Sequence, residues 1–222
     1  MKAENPRAYE RLWTVRALYG LNRMYARVWH HVELLSPCRL PPTGAAILIC
    51  NHTAGLDPFL LQATCARLIT WMMAREYYEL SVLRQFSDHL RYIPVNRALS
   101  DSASLRAGLR ALKEGRVLGV FPEGKIATHR ELLEFQGGVG VMAQRVGVPV
   151  YPAYIAGLPR KMTIAGSLLG RQDVRVAYGP PITGTADKPL SGEQLRESVD
   201  TLRRQLVAHS PLHGQFRLNA TA

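Results

Sequence analysis

The feature that most constrains this chain is an alternation. From residue 45 onward, short apolar runs take turns with longer stretches of helical spacing. "AAILIC" (45–50), "LITWMMA" (68–74), "RYIPV" (91–95), "RVLGVF" (116–121), "VPVYPAYI" (148–155) and "DVRVAYG" (173–179) read as strands. Between them, 57–67, 75–87, 101–114 and 137–146 carry helical patterns. In the third of these, Leu105, Leu109 and Leu112 share a face, and Gly115 stands where a helix stops. A last helix starts at "SGEQ", where Ser191 and Gln194 fit a capping box, and continues through Leu195, Val199, Leu202 and Leu206. Alternation of this kind predicts an α/β fold with a mostly parallel central sheet flanked by helices. Sites in such sheets gather at the carboxyl ends of strands.

Ahead of the alternation, residues 6–35 read as helical. Leu21, Tyr25, Val28 and Val32 recur at helical spacing with Met24 and Trp29 beside them, and Arg16, Arg23 and Arg27 fall on the opposite face. Gly20 and Asn22 offer a break into two helices. Aromatics and arginines on an amphipathic helix suit a membrane interface. They equally suit a helix packed on its own domain with its arginines in water. "SPCRLPPTG" (36–44) has the turn chemistry of a linker. The expected organisation is an N-terminal amphipathic segment, 1–35, followed by the unit that carries the chemistry, 36–222. A chain of 222 residues is long enough for one domain with such an appendage.

Composition narrows the function. Apolar residues make up 47% of the chain and charged ones 20%, which excludes a disordered chain. A formal charge of +11 calls for a polyanionic partner: nucleic acid, an anionic membrane surface or a phosphorylated substrate. The sequence holds no RNP-like motif, zinc-finger spacing or internal repeat, so the nucleic-acid reading has charge alone behind it. No run approaches about 18 apolar residues, and "MKAENPRAYERLW" lacks an apolar stretch, so neither a membrane-spanning helix nor secretion is expected. Cys38, Cys50 and Cys65 form no metal-ligand spacing and fit a reducing cytoplasm.

Two strand ends carry unusual chemistry. "AAILIC" runs into "NHTAGLD", placing Asn51 and His52 at the strand end and Asp57 five residues beyond His52. A His–carboxylate pair builds a general base, because the carboxylate fixes the imidazole tautomer and stabilises the imidazolium. His129 and Glu134, in "HRELLE", repeat this spacing without a strand before them. Context favours His52: Asp57-Pro58 opens a helix in the N-cap and N1 positions, which would hold the carboxylate rigid. A purely structural His52 is the alternative. "FPEGK" (121–125) ends the "RVLGV" strand and brings Glu123 and Lys125 to its mouth with Gly124 between them. By itself that is an ordinary charged turn or part of a site.

Together, "NHTAGLD" (51–57), "IPVNR" (93–97), "FPEGK" (121–125) and "VPVYPAYIAG" (148–157) resemble the four blocks of the glycerolipid acyltransferase family, in their order and at their intervals. They cover about half of the chain. "FQGG" (135–138) looks like the family's Phe-Lys-x-Gly stretch, with Gln136 replacing the lysine. The resemblance implies that His52 deprotonates an acceptor hydroxyl as it attacks an acyl thioester, with Asp57 orienting His52. Transfer is direct, so Cys50 is a small core residue and not a nucleophile. It also implies substrate contacts at Asn51, Arg97, Glu123, Gly124 and Lys125, and no metal or cofactor. The implied partners are acyl-CoA or acyl carrier protein as donor, a lysolipid acceptor (most simply 1-acyl-glycerol-3-phosphate) and an anionic membrane surface, with no nucleic acid. The implied location is cytoplasmic, peripheral on the inner face of the cell membrane.

Two departures bear on the acceptor. Lys125-Ile126 stands where the family has Thr-Arg, and that arginine ordinarily holds the acceptor's phosphate. Lys125 or Arg130 replaces it only as a point charge. Thr53-Ala54 stands where Gln-Ser is common. Another lysolipid, such as a lyso-amino-acid lipid, is therefore an alternative acceptor. A non-catalytic basic lipid- or nucleic-acid-binding protein on the same scaffold is the alternative of another class.

Overall fold

The computed structural model describes residues 12–96, 101–127, 131–159, 164–185 and 187–208. Its strands are β1 (His31–Leu34), β2 (Ala46–Cys50), β3 (Ile69–Ala74), β4 (Ile93–Val95), β5 (Val117–Val120), β6 (Val150–Ala156) and β7 (Asp173–Tyr178). Among the described residues they make one 7-stranded sheet in the order β1-β7-β6-β2-β5-β3-β4. Only the β6–β7 pair is antiparallel; the other neighbours run parallel. The predicted α/β class and mostly parallel sheet are thus observed.

The helices are α1 (Trp13–Val28), α2 (Asp57–Thr64), α3 (Arg75–Tyr78), α4 (Ser81–His89), α5 (Ser102–Lys113), α6 (Gly138–Val146), α7 (Ile164–Leu169) and α8 (Gly192–Ala208). The sheet has a core on each face, set by the two-residue period of its strands. Leu48 of β2 and Trp71 of β3 pack with α1 and α2 on one side. Ile47 and Ile49 of β2 pack with α5, α6 and α8 on the other. All five residues of β2 are buried, as a strand covered on both faces requires. The capping box at Ser191 forms as read: Ser191 N–H donates to Gln194 Oε1 at 2.9 Å, and Gln194 N–H to Ser191 Oγ at 3.2 Å.

Several local expectations are corrected. Residues 31–34 are not helical; they form edge strand β1, paired with β7. Val32 continues the helical spacing of Val28 by coincidence, and its burial comes from the sheet. α1 runs unbroken through Gly20 and Asn22. Its buried residues are Val15 and Ala26, while Leu21 and Val28 face solvent. The stretch 75–87 is two helices, α3 and α4, separated at Glu79 and Leu80. α7 was not foreseen. Asp57 is the first residue of α2 and Leu56 its N-cap, one position earlier than expected, with Pro58 still in the first turn.

Candidate active site

The sheet order brings the two unusual strand ends together. β2 and β5 are parallel neighbours, with Ile49 opposite Val120. Their carboxyl ends therefore open side by side, one into Asn51 and His52, the other into Phe121, Pro122 and Glu123.

His52 Nδ1 lies 2.8 Å from Asp57 Oδ2. A carboxylate only accepts, so Nδ1 is the donor, and in the neutral ring Nε2 keeps its lone pair. The imidazole side chain is 17% exposed and the Asp57 side chain 0%. A carboxylate so deeply buried requires several hydrogen bonds. Asp57 also accepts from Thr53 N–H at 2.6 Å, Ala54 N–H at 2.9 Å and Thr53 Oγ1 at 2.9 Å. The side chain does not cap its own helix. It closes the turn that carries His52, so Thr53 is a member of the site that the sequence reading passed over. A hydroxyl directly after the histidine, four residues ahead of a buried carboxylate, is the signal that points to it.

The imidazole stacks on the Phe121 ring, with centroids 4.0 Å apart and planes at 12°. Phe121 stacks in turn on Trp71 at 4.9 Å and 8°. This ladder begins in the core, since Trp71 is buried, and ends at two partly exposed rings, Phe121 and His52. Gly119 opposes Trp71 across the β5–β3 pair, and a side chain there would run into the indole.

The residues expected at the substrate fare differently. Asn51 is buried; its Nδ2 donates to Ile155 O at 2.9 Å and its Oδ1 accepts from Ile155 N–H at 2.8 Å. Cys50 pairs with Ala153, so the carboxamide continues the β2–β6 ladder one step past its last backbone pair. Glu123 is 5% exposed, with Oε1 accepting from His52 N–H at 3.0 Å and Oε2 from Leu133 N–H at 3.3 Å. Both residues, read from sequence as substrate contacts, are thus turned onto main chain, because a polar group at a buried strand end must satisfy its neighbours' backbone. Gly124 has φ +68°, a conformation that favours glycine, and a Cβ there would lie 2.9 Å from Gln136 Nε2. Lys125 is exposed. Arg97, His129 and Arg130 lie outside the described residues. Among the described residues no cluster of His, Cys, Asp and Glu could hold a metal ion.

Behind α2, an apolar cavity of about 360 Å³ opens under α1. Val15, Leu18, Phe59, Phe86 and Leu168 are among its walls, and Phe59 lies two residues beyond Asp57. Cys50 is buried and its thiol is pushed well above the usual range, first by burial and then by the Asp57 and Glu123 carboxylates. It is no nucleophile in that state.

An α/β sheet carrying a His–Asp pair at one strand end and a Phe-Pro-Glu-Gly turn at the next defines a class, and the comparison with known families agrees. The Acyltransferase family model matches residues 31–156, more than half of the sequence, and the chain belongs to that family. It is similar to the 1-acyl-sn-glycerol-3-phosphate acyltransferase of Bacillus subtilis (strain 168), with 24% identity over 127 residues, 57% of this chain and 63% of that protein. It is also similar to the chloroplastic 1-acyl-sn-glycerol-3-phosphate acyltransferase LPAT1 of Arabidopsis thaliana, with 25% identity over 161 residues, 70% of this chain and 45% of that protein. The matches therefore span less than two thirds of these relatives. Among solved structures, the 1-acyl-sn-glycerophosphate (LPA) acyltransferase PlsC from Thermotoga maritima shares the fold, with a TM-score of 0.74 at 21% identity over 94% of this chain and 85% of that one.

Proposed function

We propose that this chain moves a fatty acyl group from an acyl thioester to the hydroxyl of 1-acyl-glycerol-3-phosphate, giving phosphatidic acid. The observation that carries the reading is the 2.8 Å bond between His52 Nδ1 and the buried Asp57 carboxylate, which leaves Nε2 as the base. Nε2 takes the acceptor's hydroxyl proton as the oxygen attacks the thioester carbonyl. Asp57 stabilises the imidazolium that forms. When the tetrahedral intermediate collapses, the C–S bond breaks and the imidazolium returns the proton to the leaving thiolate. The relatives' names, 1-acyl-sn-glycerol-3-phosphate acyltransferases, support the acceptor. The acyl donor is CoA or an acyl carrier protein, and the apolar cavity under α1 is the candidate bed for an acyl chain. Arg97 is the candidate clamp for the phosphate, with Lys125 as its helper, because Ile126 occupies the family's arginine position.

The reaction belongs at a membrane surface. No helix among the described residues is long and apolar enough to cross a membrane. α1, however, exposes Trp13 (79%), Leu21 (58%), Met24 (56%) and Val28 (72%) along one stripe. By helical spacing Arg16, Arg23 and Arg27 lie along one edge of this stripe, the Trp13 side away from Leu21, and the exposed Leu169 of α7 lies near it, since Tyr25 donates to the Leu168 carbonyl. Large apolar side chains bordered by arginines suit insertion at an anionic interface.

The test is an acyl-transfer assay that crosses acyl-CoA and acyl carrier protein donors with lysophosphatidic acid, other lysophospholipids and a lyso-amino-acid lipid. Phosphatidic acid formed faster than any other product supports the proposal. Preference for an acceptor without a phosphate monoester overturns the acceptor, and no transfer to any acceptor overturns the reaction.

A further inference from the structure

We propose that Glu123 is a positioning residue that holds the base through the main chain of His52, and is not a ligand of the acceptor; this rests on the reading of His52 as the base of acyl transfer. The turn after β5 grips His52 from both sides. Glu123 Oε1 accepts from the His52 N–H at 3.0 Å, and the His52 carbonyl accepts from Ala127 N–H at 2.8 Å. Both polar groups of the His52 main chain are therefore held by one seven-residue stretch, 121–127. The same stretch supplies Phe121, whose ring lies against the imidazole face at 4.0 Å. Asp57 fixes the remaining freedom, rotation of the ring about its own axis, through Nδ1.

The second Glu123 oxygen ties this arrangement to a third segment, accepting from Leu133 N–H at 3.3 Å. The carboxylate thus joins the exit of β2, the turn after β5 and the stretch that leads to α6. Gly124 makes this possible: its φ of +68° turns the chain sharply, and the Gly124 N–H closes the turn on Phe121 O at 3.0 Å. At 5% exposure Glu123 presents almost no surface to a substrate.

The chemistry explains why the position holds a carboxylate. His52 N–H and Leu133 N–H are both donors, so both side-chain oxygens must accept. A glutamine offers one accepting oxygen and one NH2, and the NH2 would meet a backbone N–H head on. A residue that bound an acceptor hydroxyl would tolerate glutamine, because a hydroxyl both donates and accepts. The substitution that separates the two roles is therefore Glu123→Gln.

The experiment uses the full chain carrying Glu123→Gln or Glu123→Asp. It measures kcat and KM for lysophosphatidic acid and for the thioester, and records the His52 amide and imidazole signals by NMR with ¹⁵N-labelled histidine. In Glu123→Gln the proposal gives a fall in kcat of about 10- to 100-fold, as displacement of a base by a fraction of its reach does. The acceptor KM stays within about twofold, because no contact with the acceptor is lost. Glu123→Asp keeps the charge but shortens the side chain, and lowers kcat to a smaller extent. The His52 amide proton, at low field in the wild type because it donates to a carboxylate, moves upfield in both variants. An acceptor KM that rises by more than kcat falls makes Glu123 a substrate ligand and overturns the proposal. Unchanged His52 signals overturn it as well. If neither variant folds, the wild type decides, since an ordinary amide shift for His52 contradicts the bond. The signals require no turnover, so a chain that transfers nothing yet shows His52 following Glu123 refutes the proposed function and leaves the clamp standing.

Discussion

His52 is the residue on which the molecule converges. Asp57 meets four donors, the His52 ring, two backbone N–H groups and the Thr53 hydroxyl. Asp57→Asn sets an NH2 against some of these donors and lets the ring turn its lone pair to Nδ1, which removes the base. We expect kcat to fall by about 10²- to 10⁴-fold and stability by about 1–3 kcal/mol, read by initial rates and urea unfolding. Near-normal turnover with the fold intact would remove Asp57 from the mechanism. The cysteines give an independent check of the local electrostatics. Cys38 Sγ lies 3.0 Å from Cys65 Sγ. That hydrogen bond holds the Cys38 thiol below its ordinary range, with help from the Leu40 backbone. Burial first, then the Cys38 neighbour, pushes Cys65 well above its own, and burial does the same to Cys50. A lowered value means more thiolate at neutral pH, so iodoacetamide should modify Cys38 well before the other two in the folded chain, as mass spectrometry of timed digests reports. Equal labelling of all three would contradict this.

At the scale of elements, the ladder from Trp71 through Phe121 to His52 makes a core position matter to the site. Gly119→Ala pushes a methyl into Trp71 and should cost about 1–3 kcal/mol, as overpacking does. Because Trp71 backs Phe121, activity should fall further than the unfolded fraction explains, which parallel melting and rate measurements would reveal. Much of this level was legible in the sequence. The six strands from 45 onward and α5, α6 and α8 stand within a few residues of their predicted positions, since buried apolar runs and caps are local signals. β1 was hidden because a four-residue edge strand is too short to show its own period, and His31–Leu34 continued the spacing of α1. The split between α3 and α4 carries no Gly or Pro to mark it. At the site, the histidine, the carboxylate and the Phe-Pro-Glu-Gly turn were readable as residue types at strand ends. What Asn51 and Glu123 do was not. Asn51 meets Ile155 and Glu123 meets His52 across 104 and 71 positions of chain, and only the strand order brings these pairs close.

For the whole molecule, a charge of +11 and the exposed stripe on α1 point the same way. Because β1 belongs to the sheet, point substitutions test the membrane role better than removal of residues 1–35. Replacing Trp13, Leu21, Met24 and Val28 with Ser removes apolar surface that faces solvent and leaves the net charge unchanged. The folded variant should no longer sediment with anionic vesicles, and raised salt should weaken binding of the unaltered chain. Sedimentation equal to the wild type would make α1 an ordinary covering helix. The sheet, the clamped turn and the surface all bear on the proposed step, in which Nε2 of His52 removes the proton from a lysolipid hydroxyl. The most direct measurement is the rate of phosphatidic acid formation from lysophosphatidic acid and an acyl thioester by the wild type and by His52→Ala, with folding of both verified. The wild type should transfer and the variant should lose about 10²- to 10⁴-fold in rate; equal rates in the two proteins would contradict His52 as the base.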